Sequence, residues 1–513
     1  MKKSITQLTL LIAIVIIPLA MGVSACGDSR TSQGKNGGKP DTASGEPAPY
    51  VIDYYMLANS ASPDVNIVMD EINKITLPKF NAKVNITMID WNDWFSKVNG
   101  DIRAGSKVDV VFTADWHQYM DSIAGDYFIP LNDLLDEYGA PTKAQLGETF
   151  ISGCKVDGVL YGIPTDKELA VNGGFVYNKT LLDKYGLKVN KNWKSLRDWE
   201  PLLKVIKENE PQVCPLFVYG IWCHPNLIYY LPCELVFDGD KNNDVIQWAY
   251  DNPAYMNELR TARDFFLKGY IPHEMAGMLE TDVMSWANRL IAKGNFFLTT
   301  LPLKPGKGKS TELMATLEVP GIEYDEFETF PLLVNTRHCG GSMLAISKTS
   351  KDPVKAMQFI NEMHTNPQLT NLLAWGIEGK HYTVVSENPK RVQPVENNNW
   401  TPSVLVWTFG NVFNVHLSAV EPKDKYNLLA STKVGIPQHI ANGYRFNPAK
   451  HQDIITVINT ISDEYAIPIR IGAVDPDKSV AAMRAEMNAA GFRELKEAID
   501  ADFRRWLKEA RRP

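Results

Sequence analysis

The chain has 513 residues, 44% of them hydrophobic and 22% charged, with 34 Gly and 31 Pro. That is ordinary composition for a globular protein of two or three lobes, and it excludes a wholly disordered, collagenous or coiled-coil chain. Lys and Arg total 53 against 60 Asp and Glu, a net charge of -7 with no basic stripe, which argues against a nucleic-acid binder.

Lys2 and Lys3, the apolar run from Leu10 to Ile17 and the small residues up to Cys26 have the three-part layout of an export signal. Pro18 interrupts the apolar run, which is shorter than the ~20 residues a spanning helix needs. Loss of residues 1–25 removes two lysines and takes the net charge from -7 to -9. The 23 residues 27–49 carry no aromatic and no Leu, Ile or Val, so they cannot bury enough surface to offset their ordering entropy. As a coil they reach roughly 25–30 Å. The expected layout is an anchor, a tether and a large folded head. Five cysteines follow Cys26, and an odd number outside the cytosol leaves at least one free thiol. Cys214, Cys223 and Cys233 are close enough in sequence for one disulfide; the alternative is that all are small buried apolar residues.

The head opens on an apolar strand, Val51–Leu57. Ser62 as N-cap and Pro63 at the first helical position then introduce Val65, Val68, Met69, Ile72 and Ile75 at helical spacing. Lys83–Ile89 alternates as a strand does. Asn92–Ala104 places Trp94, Phe95, Val98 and Ile102 on one helical face, ended by Gly105, and Val108–Phe112 reads as a buried parallel strand. The pattern β-α-β-α-β predicts an open α/β sheet. Further strands are expected at Gly173–Tyr177, Asn295–Leu301 and Gly341–Ser347, and helices at Trp193–Glu208, Pro353–Leu373 and Arg493–Ala510, with a turn-rich loop at Lys304–Ser310. Strand-helix units on both sides of the middle predict two lobes.

Ligands of open α/β sheets bind beyond the carboxyl ends of the strands. Here those ends are Asn59–Ser60, Trp91–Asn92 and Thr113–His117, which nominates Asn59, Trp91, Asp115 and Trp116. Catalytic motifs fail. His273-Glu274 begins H-E-x-x-H, but Gly277 stands where the second ligand belongs; Leu303 stands where a phosphate-binding loop ending in Gly308-Lys309-Ser310 needs its first Gly; and there is no G-x-S-x-G elbow. No catalytic residue, metal or cofactor is expected. The chain is instead rich in aromatics, with 12 Trp, 20 Tyr and 20 Phe. Trp and Tyr pack on the C–H face of a sugar while carboxylates, amides and guanidiniums pair with its hydroxyls. Trp222, Trp286, Trp375 and Tyr382 join the candidates on that ground, and Trp407 stands out with them as an aromatic without being nominated, although Trp in a large domain is often core.

Four stretches, in this order, resemble family 1 extracellular solute-binding lipoproteins of carbohydrate ABC importers. They are Lys107–Phe112; Gly158–Pro164; Gly174–Lys179; and a late set formed by Trp375–Tyr382, Trp407–Asn411 and Ala489–Phe492. The segment Val23-Ser24-Ala25-Cys26 resembles the family's lipobox. The late set resembles a branch whose C-terminal domain has no assigned function. The resemblance implies a two-lobed periplasmic-binding-protein-like α/β fold, with residues 50–170 and about 335–375 in one lobe and about 171–334 and 376–513 in the other. Three hinge crossings would join the lobes, and a ligand cleft would lie between them. It also implies a diacylglycerol on Cys26, attachment to the extracytoplasmic face of the membrane, ABC permease subunits as partners, and no enzyme activity. Glu378 and Tyr382 fall in a matching motif near an expected hinge, and Lys167 and Glu168 at the first crossing. Gly173, Gly174, Gly340 and Gly341 are the expected hinge glycines. The cargo expected is an oligosaccharide; an apolar cleft would favour a peptide or other small solute, and product release would mark a secreted carbohydrate-active enzyme.

Overall fold

The computed structural model describes residues 47–218, 227–278, 286, 290, 293–303, 321–400 and 402–510. Strand β1 (Tyr50–Leu57) leads to α1 (Val65–Phe80), which buries Val68, Ile72, Ile75 and Phe80 on one stripe. The predicted cap is displaced. Asp64 precedes the first helical residue, and the Ser62 hydroxyl accepts the Asp64 N–H at 3.2 Å while it donates to the Asn399 carbonyl. Then come β2 (Ala82–Ile89), α2 (Trp94–Arg103), β3 (Val110–Thr113), α3 (Tyr119–Ala124) and β4 (Ile163–Pro164).

The second lobe supplies β5 (Asn172–Asn178), β6 (Cys214–Phe217), β7 (Leu227–Tyr229), β8 (Leu235–Asp238), β9 (Ile246–Trp248), α4 (Pro253–Leu267), β10 (Phe296–Leu303) and β11 (Tyr324–Glu328). The helix expected at Trp193–Glu208 is a 3-10 turn over Leu196–Trp199 followed by a helix over Glu200–Asn209. Returning to the first lobe, the chain forms α5 (Thr336–Cys339), β12 (Met343–Ile346), α6 (Pro353–Thr365) and α7 (Pro367–Trp375). The last two were one helical region in sequence; Asn366, held extended before Pro367, divides them. Helices α8 (Gln452–Arg470), α9 (Pro476–Ala489) and α10 (Phe492–Ala510) close the chain. No described helix is long and apolar enough to cross a membrane. The loop expected at Lys304–Ser310 lies outside the described residues.

The first sheet runs β2-β1-β3-β12-β4, with β1 parallel to β2 and β3, and β12 antiparallel to β3 and β4. The second runs β11-β5-β10-β6, and β7 to β9 form a separate antiparallel sheet. One core joins β1, β2 and β3 to α6, α7 and the segment that follows, through Leu373, Trp375, Tyr382, Trp400, Phe409 and Val415. Residues 376–415 therefore belong to the first lobe, not to the second as expected. Two indole N–H groups help to hold them there: Trp375 donates to the His416 carbonyl at 3.0 Å and Trp400 to that of Leu373 at 3.1 Å. The second lobe has a core on its mixed sheet and another where β7 to β9 meet α8 to α10.

Three crossings join the lobes and bond to one another. Thr165 N donates to Ser342 O at 3.0 Å, Leu169 N to Thr432 Oγ1 at 3.0 Å, and Val334 N to Pro437 O at 2.9 Å. The buried Asp166 carboxylate pairs with Lys433 and accepts from Gln145 at 2.7 Å. Lys167 and Glu168 form a buried pair at 2.9 Å. None of the expected hinge glycines sits at positive φ. Two are glycine because backbone or side chain comes too close: a Cβ on Gly174 would lie 2.2 Å from Phe327 O, and one on Gly340 2.2 Å from Asp115 Oδ2.

One buried acid makes fold stability pH-dependent. Glu258 on α4 is 3% exposed and accepts the Leu196 N–H at 2.9 Å, and burial pushes its carboxyl up to about 7. An unfolded chain would titrate it near 4.3. The folded state thus binds more protons between about pH 4.3 and 7, so this contribution is full below that window and falls as pH rises through it. Glu258→Gln is expected to gain on the wild type between pH 5 and pH 8 in urea midpoints. An unchanged difference at the two pH values would contradict this.

Candidate functional site

Between the lobes lies a cleft of about 550 Å³. The first lobe contributes Asp115, Trp116 and Gln118, from the loop that leaves β3, with Met120 and Asp121 of α3. The second contributes the run Tyr229–Glu234 between β7 and β8, with Tyr255 of α4. Arg337 of α5 and a series from Arg445 to Arg470 complete the lining. The first-lobe contribution follows from the sheet: β3 is a central strand, so its carboxyl end opens into the gap between the lobes.

Two carboxylate–guanidinium pairs set the electrostatics. Asp115 pairs with Arg445, their side chains 3% and 2% exposed. Arg445 also donates to the Gly153 carbonyl and to Thr336 O at 3.4 Å, and it lies 5.4 Å from the Tyr119 ring centroid. Burial pushes the Asp115 carboxyl above its usual range, against the pull of Arg445. For Arg445 burial works the other way, but the Asp115 carboxylate outweighs it and keeps the guanidinium charged. In the second lobe Arg470 pairs with Glu234, whose charge holds the guanidinium far above its normal pKa. Glu234 Oε2 is buried with no hydrogen-bond partner among the described residues. Glu234 and Cys233 have φ of 59° and 60°, and Gln118 has 56°. Three cleft residues thus hold the left-handed conformation that non-glycine residues adopt only when their surroundings impose it.

Beside the cleft three indoles gather. Trp91 stacks on Trp407 with centroids 6.1 Å apart and planes at 21°, and Trp116 lies 5.9 Å from Trp91 and 6.0 Å from Trp407. Trp116 remains 46% exposed, its N–H fixed on Gly341 O at 2.8 Å. Beneath them the buried His117 ring packs 4.1 Å from Phe95, and burial lowers its pKa to about 4, so it is a neutral filler. The result is a preformed apolar face next to a polar cavity.

The structure brings together Trp91, Asp115 and Trp116 of the residues nominated from sequence. Asn59 is exposed at the end of β1 and does not line the cleft. Trp286 packs edge-on to Phe217, against the second-lobe core. Trp375 and Tyr382 are 7% and 5% exposed in the first-lobe core. Glu378 is on the surface, paired with Lys390 at 3.1 Å. Neither Glu378 nor Tyr382 lines the cleft or a crossing, because their segment folds back on α7. Trp222 and Cys26 lie outside the described residues. Sequence reasoning missed Glu234, Arg337, Arg445 and Arg470, which carry no local motif, and it did not place Trp407 beside Trp91. The described cysteines Cys154, Cys214, Cys233 and Cys339 are free and buried, so Cys214 and Cys233 are not bridged; Cys223 lies outside the described residues. Among the described residues no group of three or more His, Cys, Asp or Glu could hold a metal ion.

A family profile described as bacterial extracellular solute-binding protein matches residues 62–368, and a domain of unknown function (DUF3502) matches residues 440–508. A carbohydrate ABC transporter substrate-binding protein of Streptococcus pneumoniae is 25% identical over 489 residues, covering 93% of each chain. The crystal structure of the N-glycan transport solute binding protein NgtS of the same organism superposes with a TM-score of 0.78 at 22% identity, over 90% of this chain and 100% of that one. Its complex with Man5GlcNAc superposes at 0.73 and 23% identity, over 90% of this chain and 100% of that one.

Proposed function

The chain belongs to the bacterial extracellular solute-binding proteins, and from that premise we propose that it is the capture subunit of a carbohydrate ABC importer. It takes an oligosaccharide into the cleft between its lobes and delivers it to a membrane permease. The family and the structural neighbours are binding components of transporters rather than enzymes. The observation that carries the reading is the pairing of an exposed indole face around Trp116 with a cavity of carboxylates and guanidiniums. A sugar needs both, an apolar surface for its C–H face and fixed charged groups for its hydroxyls. Capture requires no bond chemistry. A ligand that binds the closed arrangement better than the open one shifts the lobes toward closure, and the permease reads the difference.

Work outside the cytoplasm follows from the family. In this reading a diacylglycerol on Cys26 holds the head near the permease.

The test is a thermal-shift screen of the purified protein against Man5GlcNAc, other mono- and oligosaccharides, amino acids and short peptides. A ligand at ~100 times its Kd adds about 2.7 kcal/mol of stability. Stabilisation by one glycan class, with the glycan recovered intact, is expected. Stabilisation by peptides alone, or release of a cleaved sugar, would overturn the reading. Intact mass of membrane-extracted protein checks the lipid on Cys26.

A further inference from the structure

The segment that matches a domain of unknown function is not an appendage. Eight of the 21 residues lining the cleft fall between Arg445 and Arg470. On α8, Ile455, Asn459, Ser462, Asp463 and Arg470 recur at the three- and four-residue spacings of one helical face, and that face is the one turned to the cavity. Asn459 and Asp463 are exposed there. At its far end Arg470 grips Glu234 Oε1, while Glu234 Oε2 stays buried with no hydrogen-bond partner among the described residues. Leaving a charged acceptor unsatisfied in a buried position is unfavourable, and so is holding Cys233 and Glu234 at positive φ. Together they aim one carboxylate oxygen at a site that a donor from outside the protein would complete.

We propose that the C-terminal helices form one wall of the ligand cleft, where α8 presents Asn459 to a sugar and Arg470 holds Glu234 so that Oε2 accepts a sugar hydroxyl. The proposal rests on the glycan-capture reading and deepens it. It also fixes the ligand's charge. Four acids line the cleft, Asp115, Asp121, Glu234 and Asp463, against three guanidiniums, and two of those three are engaged by Asp115 and Glu234. A carboxylate that accepts from hydroxyls repels a uronate or a sialic acid, so the ligand is a neutral polyhydroxylated glycan. Arg470 is a positioning residue in this account, and Glu234 and Asn459 touch the ligand.

The experiment is calorimetric titration of Man5GlcNAc into the wild-type protein, Glu234→Gln and Asn459→Ala, with unfolding temperatures measured without ligand. Glu234→Gln is expected to weaken binding at least tenfold. Asn459→Ala, at an exposed helix position that folding does not depend on, should weaken it at least threefold with an unchanged Tm; it carries the test should Glu234→Gln not fold. Wild-type affinity in both variants overturns the wall while leaving glycan capture intact. Tighter binding of an acidic than of a neutral glycan overturns the charge assignment. No heat from the wild type with Man5GlcNAc or with any neutral glycan of the screen overturns capture and the wall together.

Discussion

Arg445→Ala should lower stability by about 3–5 kcal/mol, the range for breaking a buried ion pair by removing one partner. Arg445 is 2% exposed at its side chain and Asp115 3%, so the substitution strips a buried carboxylate of the guanidinium bonded to it and leaves only the more distant charge of Arg337. It also releases the Gly153 and Thr336 carbonyls, which Arg445 caps where the chain re-enters the second lobe. The comparison that identifies the cause is the double variant Asp115→Asn with Arg445→Leu. With the stranded charge gone, it should recover a large part of the loss. Urea midpoints with unchanged slopes measure both. A loss below 1 kcal/mol for Arg445→Ala would mean that the pair is solvated in solution. Gly340 belongs to the same arrangement, since only a residue without a Cβ leaves room for the Asp115 carboxylate beside it.

The second large effect concerns binding. Trp116→Ala is expected to weaken glycan binding by at least 1–2 kcal/mol, roughly five- to thirtyfold in Kd, while the fold stays intact. With 46% of its surface exposed, Trp116 loses little burial when truncated, whereas Trp91 and Trp407 behind it keep the loop shape. Calorimetry with the glycan that stabilises the protein best decides the matter. Equal affinity in wild type and variant would remove the indole face from the site and leave the polar cavity as the recognition element.

Much of the fold could be read in the sequence, and the reasons are local. Parallel strands buried on both faces advertise themselves as short apolar runs, and β3 is such a run with all four residues buried. Helix α2 carried its stripe and its terminal glycine in plain view, and it begins and ends within two residues of the expected limits. The site was legible only as far as a strand-end rule reaches, which is to Asp115 and Trp116. Its second half comes from residues 229–255 and 445–470, whose polar groups look like ordinary surface until tertiary folding turns them inward. Aromatic content misled for the same reason. Trp375 has two small immediate neighbours, Ala374 and Gly376, yet lies in the core, and sequence gives no measure of that burial. Lobe membership of residues 376–415 failed because a segment that folds back on its own helix has the same local pattern as one that crosses over.

The bonded crossings have a consequence for how the molecule is made. Asp166 meets its counter-charge 267 residues later in the chain, at Lys433, and the first lobe is not complete until the stretch ending near Val415 has joined it. A chain that emerges amino end first therefore exposes most of the first sheet long before the segments that cover and neutralise it arrive. Contacts this distant in sequence make folding slow, and partly assembled lobes with open strand edges are prone to aggregate. The hinge is complete only after Pro437 and the cleft only after α8 has followed it, so the protein can hold no cargo until almost its whole length has emerged.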